Sequence, residues 1–193
     1  MEHIKPFSAL FLDRDGVINV QRPDDYVKSV SEFIFIDGVL DAFSIFSSLF
    51  EYILIVSNQR GVGKGVMGVE DLDAIHRHMI ARIAESGCRI DRIYISTAID
   101  DHCPSRKPNI GMAAQAKRDF PGIDFANSFM AGDSISDIQF ANRAGIPAVL
   151  IGNKYLPEEI SSLNICAKYE NLYTFAKTLI YYARHGFVHK TSK

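Results

Sequence analysis

A short apolar run gives way to two aspartates and a glycine in the stretch Phe11-Leu12-Asp13-Arg14-Asp15-Gly16. The run, residues 9–12, contains no polar residue, which is typical of a β-strand covered on both faces. Similar runs recur along the chain and alternate with segments of helical spacing. The predicted strands are 9–12, 52–56, 93–95, 128–131 and 147–151, and the predicted helices are 39–50, 72–84, 110–120, 135–144 and 170–182. This alternation predicts an α/β fold, a three-layer Rossmann-like parallel sheet flanked by helices.

Length and composition indicate one soluble domain. The chain has 193 residues, 47% of them hydrophobic, and its 21 basic and 23 acidic residues leave a net charge of −2. Such a chain can bury a sizeable core, so we expect a single domain over residues 1–193, with a core from about 8 to 182 and a frayed tail at 184–193. The near-neutral charge gives no global reason to bind nucleic acid or a membrane. Three sparse cysteines and an N-terminus without a secretion signal favour a cytoplasmic location.

Polar side chains follow four of the five predicted strands. The first strand ends in residues 13–16 (Asp-Arg-Asp-Gly), the second ends in 57–59 (Ser-Asn-Gln), and the third leads to 105–108 (Ser-Arg-Lys-Pro). The fourth leads into residues 132–137, which begin Gly-Asp-Ser and end in aspartate. Each motif alone is compatible with a turn, a helix cap or a solvated loop. All four in order, at the edge where the carboxyl ends of parallel strands meet, predict one active site.

Four aspartates in these motifs, Asp13, Asp15, Asp133 and Asp137, would crowd negative charge into one crevice. Such crowding is costly without a cation or shared protons. Mg²⁺ is the expected ion, because it prefers oxygen ligands and binds one or two carboxylates together with substrate phosphate. The basic residues of the third motif add positive charge. The set therefore suits a phosphate dianion and the transfer of its phosphoryl group.

The pair Asp13 and Asp15 divides the chemistry of phosphoester hydrolysis between two carboxylates. Asp13 is the predicted nucleophile, which attacks phosphorus and gives an aspartyl-phosphate. Asp15 is the predicted acid and base, which protonates the leaving oxygen and then activates water. For this role we expect its pKa to be raised by Asp13 and by the incoming phosphate. Gly16 lets the backbone turn sharply after the pair.

These motifs resemble those of the haloacid dehalogenase superfamily of phosphohydrolases, and the likeness spans at least residues 8–152. The matching positions are Asp13-x-Asp15-Gly16, Ser57, Lys107 and Gly132-Asp133-x-x-x-Asp137. Segments 11–19, 26–27, 35–39, 57–65 and 106–112 are similar to the branch that contains the heptose 1,7-bisphosphate phosphatases and the histidinol-phosphate phosphatases. The resemblance implies a capless Rossmann-like fold and a Mg²⁺-dependent phosphomonoester hydrolase that works through an aspartyl-phosphate.

By motif matching, the resemblance also implies a role for each site residue. Catalytic roles fall to Asp13, Asp15 and Lys107, metal binding to Asp13, Asp133 and the backbone carbonyl of Asp15, substrate binding to Ser57, Asn58, Gln59 and Arg106, and supporting roles to Asp137 and Gly16.

Two loops, rather than a lid, are expected to shape the substrate pocket. Segment 17–37 has only about twenty residues, and one predicted helix and one predicted strand account for most of segment 59–106. No room remains for a large lid, which leaves loops 21–32 and 99–105 beside an open site. Many members of the branch carry a zinc loop before the Arg-Lys-Pro motif, with a Cys-x-His and a Cys-x-Cys element. Here Ser105 stands where the last cysteine would be, and His102 with Cys103 supplies at most two of the four ligands that structural zinc needs. We therefore expect no zinc.

The resemblance makes a phosphorylated sugar the expected substrate, foremost the 7-phosphate of a heptose 1,7-bisphosphate. Histidinol phosphate is the alternative within the same chemistry. A polynucleotide 3′-phosphatase is disfavoured by the dispersed basic residues. A catalytically idle phosphate-sugar binding protein is a further alternative, and the presence of both Asp13 and Asp15 argues against it. The oligomeric state is left open between a monomer and a small homo-oligomer.

Overall fold

The computed structural model describes residues 5–185 and contains a six-stranded parallel sheet. The strands are β1 (Phe7–Leu12), β2 (Phe50–Asn58), β3 (Arg92–Ser96), β4 (Phe129–Gly132), β5 (Ala148–Ile151) and β6 (Ala167–Tyr169). Their order across the sheet is β3-β2-β1-β4-β5-β6, and each neighbouring pair is parallel. All five predicted strands are present, while β6 was not predicted. The predicted α/β fold with a parallel sheet is confirmed.

Each predicted helix is also present. The helices are α1 (Val39–Leu49), α2 (Arg60–Gly63), α3 (Val69–Glu85), α4 (Gly111–Asp119), α5 (Ile135–Ala144), α6 (Pro157–Ile160) and α7 (Leu172–His185), with a 3-10 helix at Val30–Glu32. The short helices α2 and α6 and the 3-10 helix were not predicted. Residues 186–193 of the expected tail lie outside the described residues, and the single domain over 1–193 stays a prediction. No helix within residues 5–185 is long and apolar enough to cross a membrane.

Two hydrophobic cores cover the two faces of the sheet. Successive side chains of a strand point to opposite faces, and β1 shows the result. Leu10 and Leu12 belong to the core formed with α1, α3 and α7, whereas Ala9 and Phe11 belong to the core formed with α4 and α5. All four side chains are fully buried. The sheet therefore forms the middle of three layers, as predicted.

The strand order reverses between β1 and β4, which are neighbours in the sheet although far apart in the chain. In open parallel sheets, ligands bind beyond the carboxyl ends of the strands at such a switch point. Between β1 and α1, segment 13–38 carries the 3-10 helix, and between β3 and α4, segment 97–110 has no helix or strand. Loops therefore flank the switch point, and neither segment forms a cap domain.

Candidate active site

A cavity of about 240 Å³ opens at the carboxyl ends of the central strands. Every predicted site residue except Gly16 contributes to its walls, namely Asp13, Asp15, Ser57, Asn58, Gln59, Arg106, Lys107, Asp133 and Asp137. A larger cavity of about 730 Å³, lined by β5, β6 and α7, contains none of them. The structure thus brings the four sequence motifs together at the switch point.

Lys107 joins two of the carboxylates. Its Nζ lies 3.0 Å from Oδ1 of Asp13 and 2.6 Å from Oδ1 of Asp137, and it donates to the carbonyl oxygen of Val56 at 2.7 Å. The Lys107 side chain is only 1% exposed. Burial alone would lower its pKa, but the charges of Asp13 and Asp137 outweigh burial and raise the pKa. The ammonium group therefore stays charged.

Three carboxylates could hold a metal ion together. Asp13, Asp133 and Asp137 each offer an oxygen, and these oxygens lie within 4.8 Å of one another. Burial, followed by the charges of Asp137, Asp133 and Asp15, raises the pKa of Asp13 to about 7 against the opposing effect of Lys107. A divalent cation would relieve this repulsion, and a set of carboxylate oxygens fits Mg²⁺.

Two glycines let the carboxylates approach closely. Gly16 has a φ of 81°, which confirms its predicted role in the turn, and a Cβ there would lie 2.4 Å from Oδ2 of Asp133. A Cβ on Gly132 would lie 2.2 Å from the Cβ of Asp137. At the start of α5, the hydroxyl and the backbone N–H of Ser134 donate to Oδ2 of Asp137 at 2.7 and 2.9 Å. This cap directs the other carboxylate oxygen of Asp137 toward the ammonium group described above.

The carboxylate of Asp15 is held by three donor side chains. Nη2 of Arg14 donates to both oxygens at 2.8 Å, Nδ2 of Asn19 donates to Oδ1 at 2.9 Å, and Nε2 of Gln59 donates to Oδ2 at 2.9 Å. Burial by itself would raise the pKa of Asp15, but the charge of Arg14 and these hydrogen bonds outweigh burial and lower the pKa. For the protein's own groups, the prediction that the pKa of Asp15 is raised is therefore wrong, because it took no account of these donors. The rise expected from the incoming phosphate stays a prediction.

The side chains at the carboxyl end of β2 mostly bind other parts of the site. Nδ2 of Asn58 donates to the carbonyl oxygen of Lys107 at 3.0 Å, and the backbone N–H of Lys107 donates to Oδ1 of Asn58 at 3.0 Å. Nε2 of Gln59 donates to Oγ of Ser57 at 2.8 Å as well as to Asp15. These amides therefore position a lysine, a serine and an aspartate. Substrate binding by Ser57, Asn58 and Gln59 stays a prediction.

Arg106 lies in the cavity wall beside Lys107, with 12% of its side chain exposed. Its contact with substrate stays a prediction. Nearby, Sγ of Cys103 lies 3.3 Å from Oγ of Ser105. That this loop binds no zinc likewise stays a prediction.

The sequence reasoning missed two contacts at the site. Lys154 lies just beyond β5, and its Nζ is 2.5 Å from Oδ2 of Asp133. Its position after the fifth strand could have predicted that it belongs to the site, because the other site residues also follow the carboxyl ends of strands. Behind the site, Nη1 of the buried Arg14 lies 3.4 Å from Nε2 of His76, whose pKa is lowered to about 4 by burial and by Arg14. No sequence pattern pointed to this single histidine.

Comparisons with known proteins agree with this geometry. Residues 104–170 match a family model described as HAD-hydrolase-like. The chain is 33% identical over 169 residues to the D-glycero-alpha-D-manno-heptose-1,7-bisphosphate 7-phosphatase of Mycobacterium bovis. This match covers 87% of this chain and 89% of the relative. The chain is also 35% identical over 147 residues to the D-glycero-beta-D-manno-heptose-1,7-bisphosphate 7-phosphatase of Rhodopseudomonas palustris. This second match covers 72% of this chain and 80% of the relative.

A solved structure supports the same assignment. The crystal structure of a D,D-heptose 1,7-bisphosphate phosphatase from B. bronchiseptica, complexed with magnesium and phosphate, is similar with a TM-score of 0.81 and 30% sequence identity. The match covers 90% of this chain and 98% of that chain. A parallel sheet with aspartates at its switch point, together with these likenesses, defines a phosphatase of the haloacid dehalogenase type. Within this superfamily, the chain belongs to the family of the heptose-1,7-bisphosphate 7-phosphatases.

Proposed function

We propose that this protein removes the 7-phosphate of a D-glycero-D-manno-heptose 1,7-bisphosphate by way of an aspartyl-phosphate. The proposed reaction is supported above all by the position of Lys107. Its Nζ lies 3.0 Å from Asp13 and 2.6 Å from Asp137, in a cavity that Asp133 also lines. The substrate is inferred from the relatives, which bear the names of enzymes for the alpha and the beta anomer. Both anomers are therefore candidates.

Asp13 is the nucleophile in this proposal. Its carboxylate attacks phosphorus, and the bond between phosphorus and the sugar oxygen breaks as the new bond to Asp13 forms. Lys107 lowers the repulsion between this carboxylate and the phosphate, because its buried ammonium contacts Asp13 directly. A Mg²⁺ ion held by Asp13, Asp133 and the backbone carbonyl of Asp15 would supply further positive charge to the phosphoryl oxygens.

Asp15 moves the protons. In the first step it gives a proton to the leaving sugar oxygen, and in the second it takes a proton from the water that hydrolyses the aspartyl-phosphate. Its four hydrogen bonds from Arg14, Asn19 and Gln59 favour the carboxylate, which is the form needed for the second step. The negative charge of the bound substrate raises the pKa of Asp15 and favours the acid form that the first step needs.

The proposal includes the setting of the enzyme. We expect a cytoplasmic enzyme, monomeric or a small homo-oligomer, that acts on a phosphorylated sugar without nucleic acid and without zinc. The polar walls of the cavity, which include Arg22, Tyr26 and Arg106, suit a hydroxyl-rich substrate with a second anionic group.

A substrate panel tests the proposed function. The purified protein is incubated with Mg²⁺ and, in turn, with both anomers of the heptose 1,7-bisphosphate, with histidinol phosphate and with a 3′-phosphorylated oligonucleotide. Phosphorus NMR then shows which ester is lost. We expect loss of the 7-phosphate, retention of the 1-phosphate and the highest kcat/KM for one of the two anomers. Faster turnover of another substrate would overturn the substrate assignment, and binding without turnover of any ester would indicate a binding protein.

A further inference from the structure

Asp101 lies in segment 97–110 and contacts two arginines that come from different parts of the chain. Its Oδ1 accepts a hydrogen bond from Nε of Arg106 at 2.8 Å and another from Nη2 of Arg60. Arg60 begins α2, directly after β2 and the motif that carries Ser57, whereas Arg106 precedes Lys107. One carboxylate therefore connects the loop to the start of α2 and to Arg106, which lines the cavity.

The loop around Asp101 is also fixed through its backbone. Nη2 of Arg60 donates to the carbonyl oxygen of Ile99 at 2.8 Å. Nδ2 of Asn109 donates to the carbonyl oxygens of Asp101 and Cys103 at 2.9 and 3.0 Å. The contact with Arg106 lowers the pKa of Asp101, so its carboxyl group is ionised at neutral pH. These contacts hold the loop in one conformation, and both arginines donate to the same oxygen, Oδ1 of Asp101.

Arg106 is oriented by this contact. The Asp101 side chain is 74% exposed, but the Arg106 side chain is only 12% exposed and lines the catalytic cavity. Nη1 of Arg106 is buried and has no hydrogen-bond partner among residues 5–185. A buried guanidinium donor without a partner is costly. The guanidinium is thus fixed on its Nε side and keeps a donor that an anionic ligand could satisfy.

Lys107 is held independently of Asp101, although it is the next residue after Arg106. The amide of Asn58 binds both the carbonyl oxygen and the N–H of the Lys107 backbone, at 3.0 Å each. The Lys107 ammonium is held by Asp13, Asp137 and the carbonyl of Val56. A change at Asp101 should therefore move Arg106 and leave the nucleophile and its lysine in place.

We propose that Asp101 is a positioning residue for substrate: it fixes Arg106 so that this guanidinium binds the part of the substrate remote from the reacting phosphate. This inference rests on the proposed function, because it takes the heptose bisphosphate as the substrate. The effect of Asp101 should therefore fall on KM for an extended substrate and spare the chemistry at phosphorus.

The test compares two substrates in wild type, Asp101→Ala and Asp101→Glu. For the preferred heptose 1,7-bisphosphate anomer, we expect Asp101→Ala to raise KM about tenfold with kcat little changed, as for one weakened hydrogen bond to a charged group. For p-nitrophenyl phosphate, which lacks the remote part, kcat/KM should stay unchanged. The KM of Asp101→Glu should lie between those of wild type and Asp101→Ala, because the glutamate carboxylate can still reach Arg106. The matched control is Asp100→Ala, since Asp100 is a neighbouring exposed carboxylate whose Oδ1 accepts from the backbone N–H of His102.

A double-mutant cycle separates positioning from a general effect on the loop. If Asp101 acts through Arg106, the Asp101→Ala/Arg106→Ala variant should have the KM of Arg106→Ala alone. Additive effects, an unchanged KM in Asp101→Ala, or an equal loss of activity on both substrates would each overturn the proposal. The wild-type enzyme reports on the proposed function by itself. If it does not hydrolyse the bisphosphate, that function is refuted together with this inference, whereas wild-type turnover with an unchanged KM in Asp101→Ala refutes the inference alone.

Discussion

Replacing Lys107 with methionine removes the ammonium group that lies between Asp13 and Asp137. The carbon stem is nearly preserved, so the change is mainly the loss of one charge in a side chain that is 1% exposed. Two carboxylates then lose a partner at 3.0 and 2.6 Å, and the carbonyl of Val56 loses its donor at 2.7 Å. We expect the variant to fold with reduced stability and to lose phosphatase activity.

The size of the effect follows from the burial of the pair. Breaking a buried ion pair by removing one partner costs about 3–5 kcal/mol, because it leaves a buried charge without compensation. The cost should depend on pH. The pKa of Asp13 is already raised to about 7 with Lys107 present, and it will rise further in Lys107→Met. At low pH the Asp13 carboxyl group of the variant can take up a proton and avoid the penalty, so the loss of stability should grow as the pH rises through 7.

Urea unfolding followed by circular dichroism measures this loss. Wild type and Lys107→Met are compared in metal-free buffer at about pH 5.5 and about pH 8. Lys64→Met serves as the control, because Lys64 is exposed and its Nζ lies over the Tyr26 ring at 5.7 Å. We expect a change of less than about 0.5 kcal/mol for the control. A loss below about 1 kcal/mol at pH 8, or a larger loss at pH 5.5 than at pH 8, would show that the Lys107 ammonium does not stabilise the buried carboxylates.

Three further predictions concern the proposed metal site. Gly132→Ala would place a Cβ 2.2 Å from the Cβ of Asp137, so the free energy of unfolding should fall by about 1–3 kcal/mol, and an unchanged urea midpoint would contradict this. The Lys154 ammonium lies 2.5 Å from Asp133 and should compete with Mg²⁺ for this carboxylate. Lys154→Met should therefore bind Mg²⁺ more tightly in calorimetry, and weaker or equal binding would contradict this competition. The raised pKa of Asp13, about 7, predicts that Mg²⁺ affinity falls as the pH drops below 7, because protons compete for the carboxylate; a constant Kd between about pH 6 and pH 8 would exclude this competition.

Most of the sheet could be predicted because its strands are covered on both faces. The residues of β1, β4 and β5 are buried throughout, and such strands appear in sequence as unbroken apolar runs. Strand β6 (Ala167–Tyr169) has three residues, with an exposed lysine between two half-buried ones. A segment of three residues with a lysine in the middle shows neither an apolar run nor an alternation that would predict a strand. Its place in the sheet depends on pairing with β5, which is a tertiary contact.

The positions of the site residues could be predicted, but their hydrogen-bond partners could not. The carboxyl ends of the strands place Asp13 and Asp133 side by side, because β1 and β4 are neighbours. The donors to Asp15 come from residues 1, 4 and 44 positions away, and only the folded chain shows that all three reach one carboxylate. The sign of its pKa shift was therefore beyond sequence reasoning. Lys154 could have been predicted in the same way as the other motifs, because it too follows the carboxyl end of a strand.

The proposed function requires that Asp13 carries the phosphoryl group during the reaction. The direct measurement is mass spectrometry of peptides from enzyme that is quenched with acid during turnover of the heptose 1,7-bisphosphate with Mg²⁺. We predict that the peptide containing Asp13 gains the mass of one phosphoryl group in wild type, and that Asp13→Asn folds but shows neither this peptide nor phosphate release. Turnover by Asp13→Asn, or a phosphoryl group on a different residue in the wild-type enzyme, would show that Asp13 is not the nucleophile.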